Sequence, residues 1–149
     1  MKGNSFLGRI CLVILVLSLQ GRMFGQTSNE RLQSITAALR GRDFQQALQS
    51  LQSALQESPN NPQLWMLQGL AYSGTGDSKS ALASYKHALR ISPDYLPALE
   101  GAAQLQYEAG SADAIPLLEH VLKLRPDETT SHAMLAVLAA KKGDCATAV

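Results

Sequence analysis

The residues that could do chemistry are few, and their spacing does not bring them together. His87 and His120 lie 33 residues apart, His132 follows in a different sequence context, and Cys145 stands next to the end of the chain. Metal sites and cysteine nucleophiles require His, Cys and carboxylate residues at patterned separations, and no such pattern is present. We therefore expect no catalytic residue, no metal ion and no cofactor.

Charge and composition also argue against catalysis and against nucleic-acid binding. Acidic residues such as Glu100 and Glu108 are typical of exposed helix faces, and no carboxylate pair suggests a general acid with its base. Lys2, Arg9 and Arg22 are three of the 13 Lys and Arg residues, so 10 cations remain against 12 anions after residue 25. A surface of this kind does not favour nucleic acid. We predict a protein that is not an enzyme and has no nucleic-acid partner.

The first 25 residues have the anatomy of an export signal. Lys2 and Arg9 precede an uncharged apolar run at residues 10–19, and a polar stretch follows at residues 20–26. The run is about ten residues long, whereas a stable bilayer-crossing helix needs about 20. We predict a signal peptide at residues 1–25, cleaved near Gly25, and a periplasmic or secreted protein. The alternative is an uncleaved membrane anchor.

The remainder of the chain repeats with a period of 34 residues. Several residues recur at this offset, and among them Ala47, Ala54 and Pro59 return as Ala81, Ala88 and Pro93. The copy in the middle of the chain carries the fullest pattern: Trp65, Gly69, Tyr72, Gly76, Asp77, Ala81, Tyr85, Ala88 and Pro93. A fixed period of this length is the signature of a repeat architecture.

This pattern resembles the tetratricopeptide repeat (TPR), which reads W-x-x-L-G-x-x-Y, then A-x-x-x-F, then a proline. The chain departs from it at Gln68, where Leu is usual, and at Tyr85, where Phe is commoner. We assign TPR 1 to residues 28–61, TPR 2 to 62–95, TPR 3 to 96–128 and an incomplete TPR 4 to 129–149. A one-residue deletion after Gly110 brings Ala114 and Pro126 of the third copy into register, and Ala148 belongs to the fourth.

The resemblance implies an all-α fold, a right-handed α-solenoid of antiparallel helix pairs known as the TPR superhelix. Ala81 and Ala88 are small because two helices approach closely there, and Pro93 ends the second helix of its pair. Pro116 falls within the second helix of the third copy, near that helix's first turn. We predict a tolerated irregularity at that position.

In the TPR family the ligand usually lies along a concave groove built from first helices. The resemblance places the ligand-facing positions of this chain at Leu32, Thr36, Leu39, Arg40, Met66, Leu70, Ser73, Glu100, Gln104, Tyr107, Glu108 and Val137. These positions mix apolar and polar residues without a dominant charge, which predicts an extended or helical protein segment with some apolar side chains. Packing between copies is the alternative role for Met66, Leu70 and Tyr107.

Family members that grip acidic chaperone tails use Lys and Asn at set first-helix positions. The equivalent positions here hold Leu32, Thr36, Met66, Leu70 and Gln104, so we predict no such carboxylate clamp. The predicted function is a protein–protein interaction scaffold.

Two alternatives remain open: a substrate-recruiting or regulatory region of a larger enzyme whose catalytic domain lies beyond Val149, and a structural protein of envelope assembly. The fourth copy stops before a capping helix, so we expect a fragment whose last helix could self-associate.

Overall fold

The computed structural model describes residues 28–142, and this part of the chain contains seven helices and no strand. The helices are α1 Ser28–Arg40, α2 Phe44–Glu57, α3 Pro62–Thr75, α4 Ser78–Ile91, α5 Leu96–Glu108, α6 Ala114–Leu124 and α7 Thr129–Lys142. The predicted signal peptide and Cys145 and Ala148 lie outside the described residues.

The chain divides into two compact units, Met1–Gln33 and Ser34–Val149. Of the first unit, the described residues comprise only the beginning of α1. All of the packing described below belongs to the second unit. There, each helix from α2 onward contacts the next one along the chain, and α3 also contacts α5.

Short, well-capped turns join the helices of a pair. Gly76 follows α3 with a φ of +82°, a left-handed conformation that glycine adopts without steric cost. The Asp77 carboxylate then accepts a hydrogen bond of 3.0 Å from the backbone N–H of Ser80 and caps α4. Asp43 caps α2 in the same way through the N–H of Gln46, also at 3.0 Å. Each of these turns ends one helix and begins the next within a few residues, so the two helices of a pair run antiparallel.

The turn between α5 and α6 is longer, and Pro116 explains why. Residues 111–113, which the repeat register would place in the first turn of α6, form turns instead, and the N–H of Ile115 bonds to the Ala112 carbonyl at 3.0 Å. The helix begins at Ala114, so Pro116 is its third residue. A proline there sacrifices no helical hydrogen bond, because the first N–H groups of a helix are unpaired anyway. The predicted irregularity at Pro116 is therefore a late helix start.

The Tyr85 ring forms the centre of the core. Tyr85 is 3% exposed and clusters with the fully buried alanines Ala81, Ala88, Ala98 and Ala102, which come from α4 and α5. Trp65 and Tyr72, on α3, pack against this cluster from its edge. Small residues leave the space that one large ring fills, as close packing requires.

Two glycines face the Tyr85 ring. A Cβ placed on Gly69 of α3 would lie 2.6 Å from Tyr85 Cε1, and one on Gly101 of α5 would lie 2.5 Å from Tyr85 Cζ. Both distances are far below a van der Waals contact. The ring therefore occupies a slot between two helix backbones, and the slot exists only while both positions lack a side chain.

A second cluster lies toward the end of the described chain and is built from Ala103, Ala114, Leu118 and Leu138. Tyr107 and Met134 are partly buried against it. Among residues 28–142, no helix combines the length and the apolar character that crossing a bilayer requires.

We predict that Gly101→Ala destabilises the fold although alanine is the better helix former. Overpacking a tight core costs about 1–3 kcal/mol, which exceeds the helix-propensity gain of about 0.8–1 kcal/mol. Urea unfolding measures the net loss. In a Tyr85→Leu background the ring is gone, so the same substitution should become neutral or stabilising; an equal loss in both backgrounds would contradict the Tyr85 slot.

Candidate ligand-binding surface

The predicted ligand-facing residues of α3 differ in what they offer to solvent. Leu70 is 46% exposed, which is unusual for a large apolar residue in this fold. Met66 is half-buried and packs against the Tyr85 cluster. The Ser73 hydroxyl donates to the Gly69 carbonyl at 3.0 Å and lies 3.5 Å from the Tyr85 hydroxyl. Leu70 is therefore the predicted α3 residue most available to a ligand.

On α5 the predicted positions are mainly polar. Glu100, Gln104 and Glu108 are exposed, and the Gln104 amide donates to the Glu108 carboxylate at 2.6 Å. Tyr107 is half-buried and packs against the Ala103 and Leu118 cluster. Its ring thus has one side in the core.

The remaining predicted positions lie on α1 and α7. Val137 of α7 is 41% exposed. Thr36 and Leu39 are half-buried and Arg40 is exposed. Leu32 is half-buried and belongs to the first unit, so it is described by itself.

An open cavity of about 310 Å³ joins two of these positions to residues that the sequence did not suggest. Its lining is Glu100, Ala103, Gln104, Leu118, Arg125, Glu128, Thr130, Ser131 and Met134. The apolar wall comes from α5, α6 and α7, with Ala103 and Leu118 at most 2% exposed. Charged groups stand on the exposed rim. The cavity is large enough for an apolar side chain and polar enough at its mouth to orient one.

An ion pair spans the rim of the cavity. An Arg125 guanidinium nitrogen donates to a Glu100 carboxylate oxygen at 3.1 Å, and the two side chains are 53% and 43% exposed. Such exposed pairs contribute at most about 1 kcal/mol. A charged group of a ligand can therefore replace either partner at a small cost in free energy. The rim can accept a cation beside Glu100 or an anion beside Arg125.

Glu128 occupies the N-terminus of α7. Its carboxylate accepts hydrogen bonds from the backbone N–H of Ser131 at 2.5 Å and of Thr130 at 3.2 Å. Hydrogen bonding from Ser131, with a smaller contribution from Thr130, lowers the pKa of Glu128 from 4.5 to about 2. The helix dipole acts in the same direction. This carboxylate keeps Ser131, which is 4% exposed, in the cavity wall.

The sequence contained a signal for Glu128 but none for Arg125. Acidic residues are favoured near the start of a helix, so Glu128 could have been assigned to the N-terminus of the last helix. Arg125 meets Glu100 across 25 residues of sequence, and only tertiary packing brings them together. Met134 likewise reaches the cavity because α7 packs on α6.

His87 and His120 each contact side chains of nearby residues. The His87 ring stacks on Trp65 with centroids 3.7 Å apart and planes at 18°, and its Nδ1 accepts from Arg90 at 2.7 Å. Burial, with a smaller effect of Arg90, lowers the pKa of His87. His120 Nε2 lies 2.8 Å from an Asp94 carboxylate oxygen. Within residues 28–142, no three His, Cys, Asp or Glu residues form a group that could hold a metal ion.

Comparison with known proteins decides the family. A family model described as the Cytochrome c-type biogenesis protein H TPR domain matches residues 24–149. This chain belongs to that TPR family. The predicted TPR identity and the predicted right-handed all-α solenoid are confirmed.

Individual TPR relatives are more distant. Tetratricopeptide repeat protein 37 of Xenopus laevis is 30% identical over 82 residues, which cover 55% of this chain and 5% of that protein. A TPR protein structure from Parabacteroides merdae has a TM-score of 0.75 at 23% identity and covers 83% of this chain and 50% of its own. The first TPR of Spaghetti (RPAP3), bound to HSP90 peptide SRMEEVD, has a TM-score of 0.71 at 16% identity, with 79% and 97% coverage. At these identities the structures show a shared fold.

We predict that Glu128 stabilises the protein in a pH-dependent way. Its pKa is lower in the folded chain, so its contribution is fully present above about pH 4.5 and is lost as the pH falls toward about 2. Glu128→Gln should lower the melting temperature at about pH 6, and the difference from the parent should shrink on acidification. Circular dichroism melts measure both values. Glu119→Gln, at an exposed position of α6, is the control, and a pH-independent Glu128→Gln difference would argue against the cap.

Proposed function

We propose that this chain is a protein–protein interaction scaffold, without catalytic activity of its own, that binds a protein segment along its first helices. The observation that carries the proposal is the pair of apolar residues Leu70 and Val137, 46% and 41% exposed at predicted ligand-facing positions of a TPR fold. An exposed apolar side chain favours binding because a partner that covers it removes apolar area from water.

The cavity between α5 and α7 supplies a second point of attachment. Ala103, Leu118 and Met134 offer an apolar wall to one ligand side chain, while Glu100 and Arg125 at the rim can pair with polar groups beside it. Leu70 lies on α3, whereas the cavity lies at α5 to α7. Helix α3 packs directly on α5. An extended or helical segment with spaced apolar residues fits such a surface.

The Spaghetti (RPAP3) TPR structure contains a peptide, which supports peptide binding as a use of this fold. That peptide, SRMEEVD, is acidic. In this chain the corresponding clamp positions include Met66, Leu70 and Gln104, none of which carries a positive charge. The proposed ligand is therefore a mixed apolar and polar segment, not an acidic tail and not a nucleic acid.

We predict that a photo-crosslinking residue at Leu70 captures a protein partner in the native host, whereas the same residue at the exposed Lys86 of α4 does not. Leu70→Ala with Val137→Ala should weaken the captured complex about tenfold or more, because each exposed leucine or valine buries apolar area on binding. Isothermal titration calorimetry with the captured partner measures this loss.

The same experiment separates a binding role from a folding role. Substitutions at exposed positions usually change stability by less than about 0.5 kcal/mol, so the double variant should melt close to the parent. SRMEEVD should not compete with the partner at about 1 mM, a concentration equivalent to about −4 kcal/mol of binding. Equal crosslinking from Leu70 and Lys86, or unfolding of the double variant, would remove Leu70 from the ligand surface.

We also propose that the protein is exported, with the membrane-anchored form as the alternative. The support is the order of Lys2 and Arg9, an apolar run at residues 10–19 and a polar stretch at residues 20–26. Expressed with its full sequence in a bacterial host, the protein should appear in the periplasm or medium with a new N-terminus near Gln26. N-terminal sequencing checks this, and an intact N-terminus in the membrane fraction would favour the anchor.

A further inference from the structure

A groove of about 550 Å³ runs between α2 and α3 beside the α3–α4 turn. Its lining is Gln45, Leu48, Gln49, Gln52, Gln68, Tyr72, Thr75 and Asp77. Half of these side chains are primary amides. An amide offers two N–H donors and a carbonyl acceptor, so this lining can both donate and accept hydrogen bonds along its length.

This groove is separate from the proposed first-helix surface, which comprises Leu70, Val137 and the cavity between α5 and α7. Successive residues of a helix are about 100° apart. On α3 this spacing places Gln68, Tyr72 and Thr75 on the side of the helix opposite Met66 and Leu70. The two surfaces can therefore be altered independently.

Gln68 stands where the repeat usually has leucine, and the structure shows what the amide does there. The Ser84 hydroxyl, which belongs to a 4% exposed residue, lies 3.0 Å from Gln68 Oε1 and 3.0 Å from the Ser80 carbonyl. Its single proton can serve one of them at a time. Gln68 Nε2 has no hydrogen-bond partner among the described residues, so both of its N–H groups remain available to an occupant of the groove.

The glutamines of α2 form a row along one side of the helix. Gln45, Gln49 and Gln52 are exposed, and within the described part of the chain no hydrogen bond engages their amides. Along the helix axis they lie about 6 Å and about 4.5 Å apart, about 10.5 Å in total. Peptide groups on one side of an extended chain recur about every 6.6–6.8 Å, and three extended residues cover about 10 Å. The first interval is close to this repeat and the second is shorter, and the whole row spans about three extended residues.

The charge and shape of the lining restrict the occupant further. Asp77 is the only charged residue in the lining, and hydrogen bonds from Ser80 lower the pKa of its carboxyl and engage it as the α4 cap. Thr75 is also engaged, because its hydroxyl donates to the Tyr72 carbonyl at 2.9 Å. Leu48 is a half-buried apolar residue in the same wall and can contact an aliphatic side chain. These features suit a ligand that is polar along its backbone and uncharged in its side chains.

We propose that this glutamine-lined groove is a second binding site, which holds an extended polypeptide segment with uncharged side chains through its backbone N–H and C=O groups. Gln45, Gln49 and Gln52 bond to the segment from α2, and Gln68 donates to it from α3. Because amides pair with any peptide group, binding here is tolerant of sequence. The site does not depend on the proposed function of the first-helix surface.

The test uses the full chain and a fluorescein-labelled, uncharged octapeptide of alternating serine and valine, followed by fluorescence anisotropy. Gln49→Leu with Gln52→Leu should weaken binding about fivefold or more, since each lost hydrogen bond reduces affinity severalfold. The matched control is Gln46→Leu with Gln56→Leu, which changes two exposed glutamines of α2 outside the groove and should leave affinity unchanged. Leucine and glutamine have similar helix propensities, so both variants keep the helix.

A second probe tests the backbone directly. The same octapeptide with alternate peptide nitrogens methylated keeps its side chains but loses half of its N–H donors, and it should bind at least about fivefold more weakly. Absence of binding by the parent octapeptide, equal binding of the methylated one, or equal loss in both double variants would overturn the proposal. So would loss of binding in the Leu70→Ala and Val137→Ala variant, which would assign the peptide to the first-helix surface.

Discussion

The insertion of one aromatic ring between two helix backbones controls the approach of successive helix pairs. Tyr85 projects from α4 and is 3% exposed, with Gly69 of α3 on one side and Gly101 of α5 on the other. Packed helices normally lie about 8–10 Å apart, depending on the side chains at the contact. Here the contact side chain belongs to a third helix, and the two glycines let it fit. The direct packing of α3 on α5 depends on this arrangement.

The candidate ligand surface follows from that packing. Helices α3 and α5 contact each other, and Leu70 and Gln104 are exposed residues 34 positions apart, at equivalent places in successive copies of the repeat. The next pair extends this surface, because α7 packs on α6 and closes a cavity against Glu100. The opposite side of α3 faces α2. Gln68 and Tyr72 meet the amide row of α2 there.

Most of the fold could be predicted from the sequence, because the packing that defines it lies within single helix pairs. The period of 34 and residues such as Trp65, Gly69 and Ala81 report packing within one helix pair, which the chain repeats. Gly101 was not part of that pattern, because its requirement comes from the Tyr85 ring of the preceding pair. In the candidate site, Leu70 could be placed by repeat position alone, whereas the pairing of Arg125 with Glu100 depends on tertiary structure.

The departure of Gln68 from the repeat pattern shows how a repeat protein can gain a surface without changing its fold. Leucine at that position would need only apolar neighbours, whereas an amide needs a partner, and the buried Ser84 supplies it at 3.0 Å. The Ser84 proton is shared between the Gln68 carbonyl and the Ser80 carbonyl, and the Gln68 amide nitrogen is directed to no protein group within the described residues. This nitrogen is not buried, so water completes it and the penalty for a buried unsatisfied donor does not apply. The substitution therefore adds hydrogen-bonding capacity to the groove, while Tyr85 and its surrounding alanines hold α3 in place.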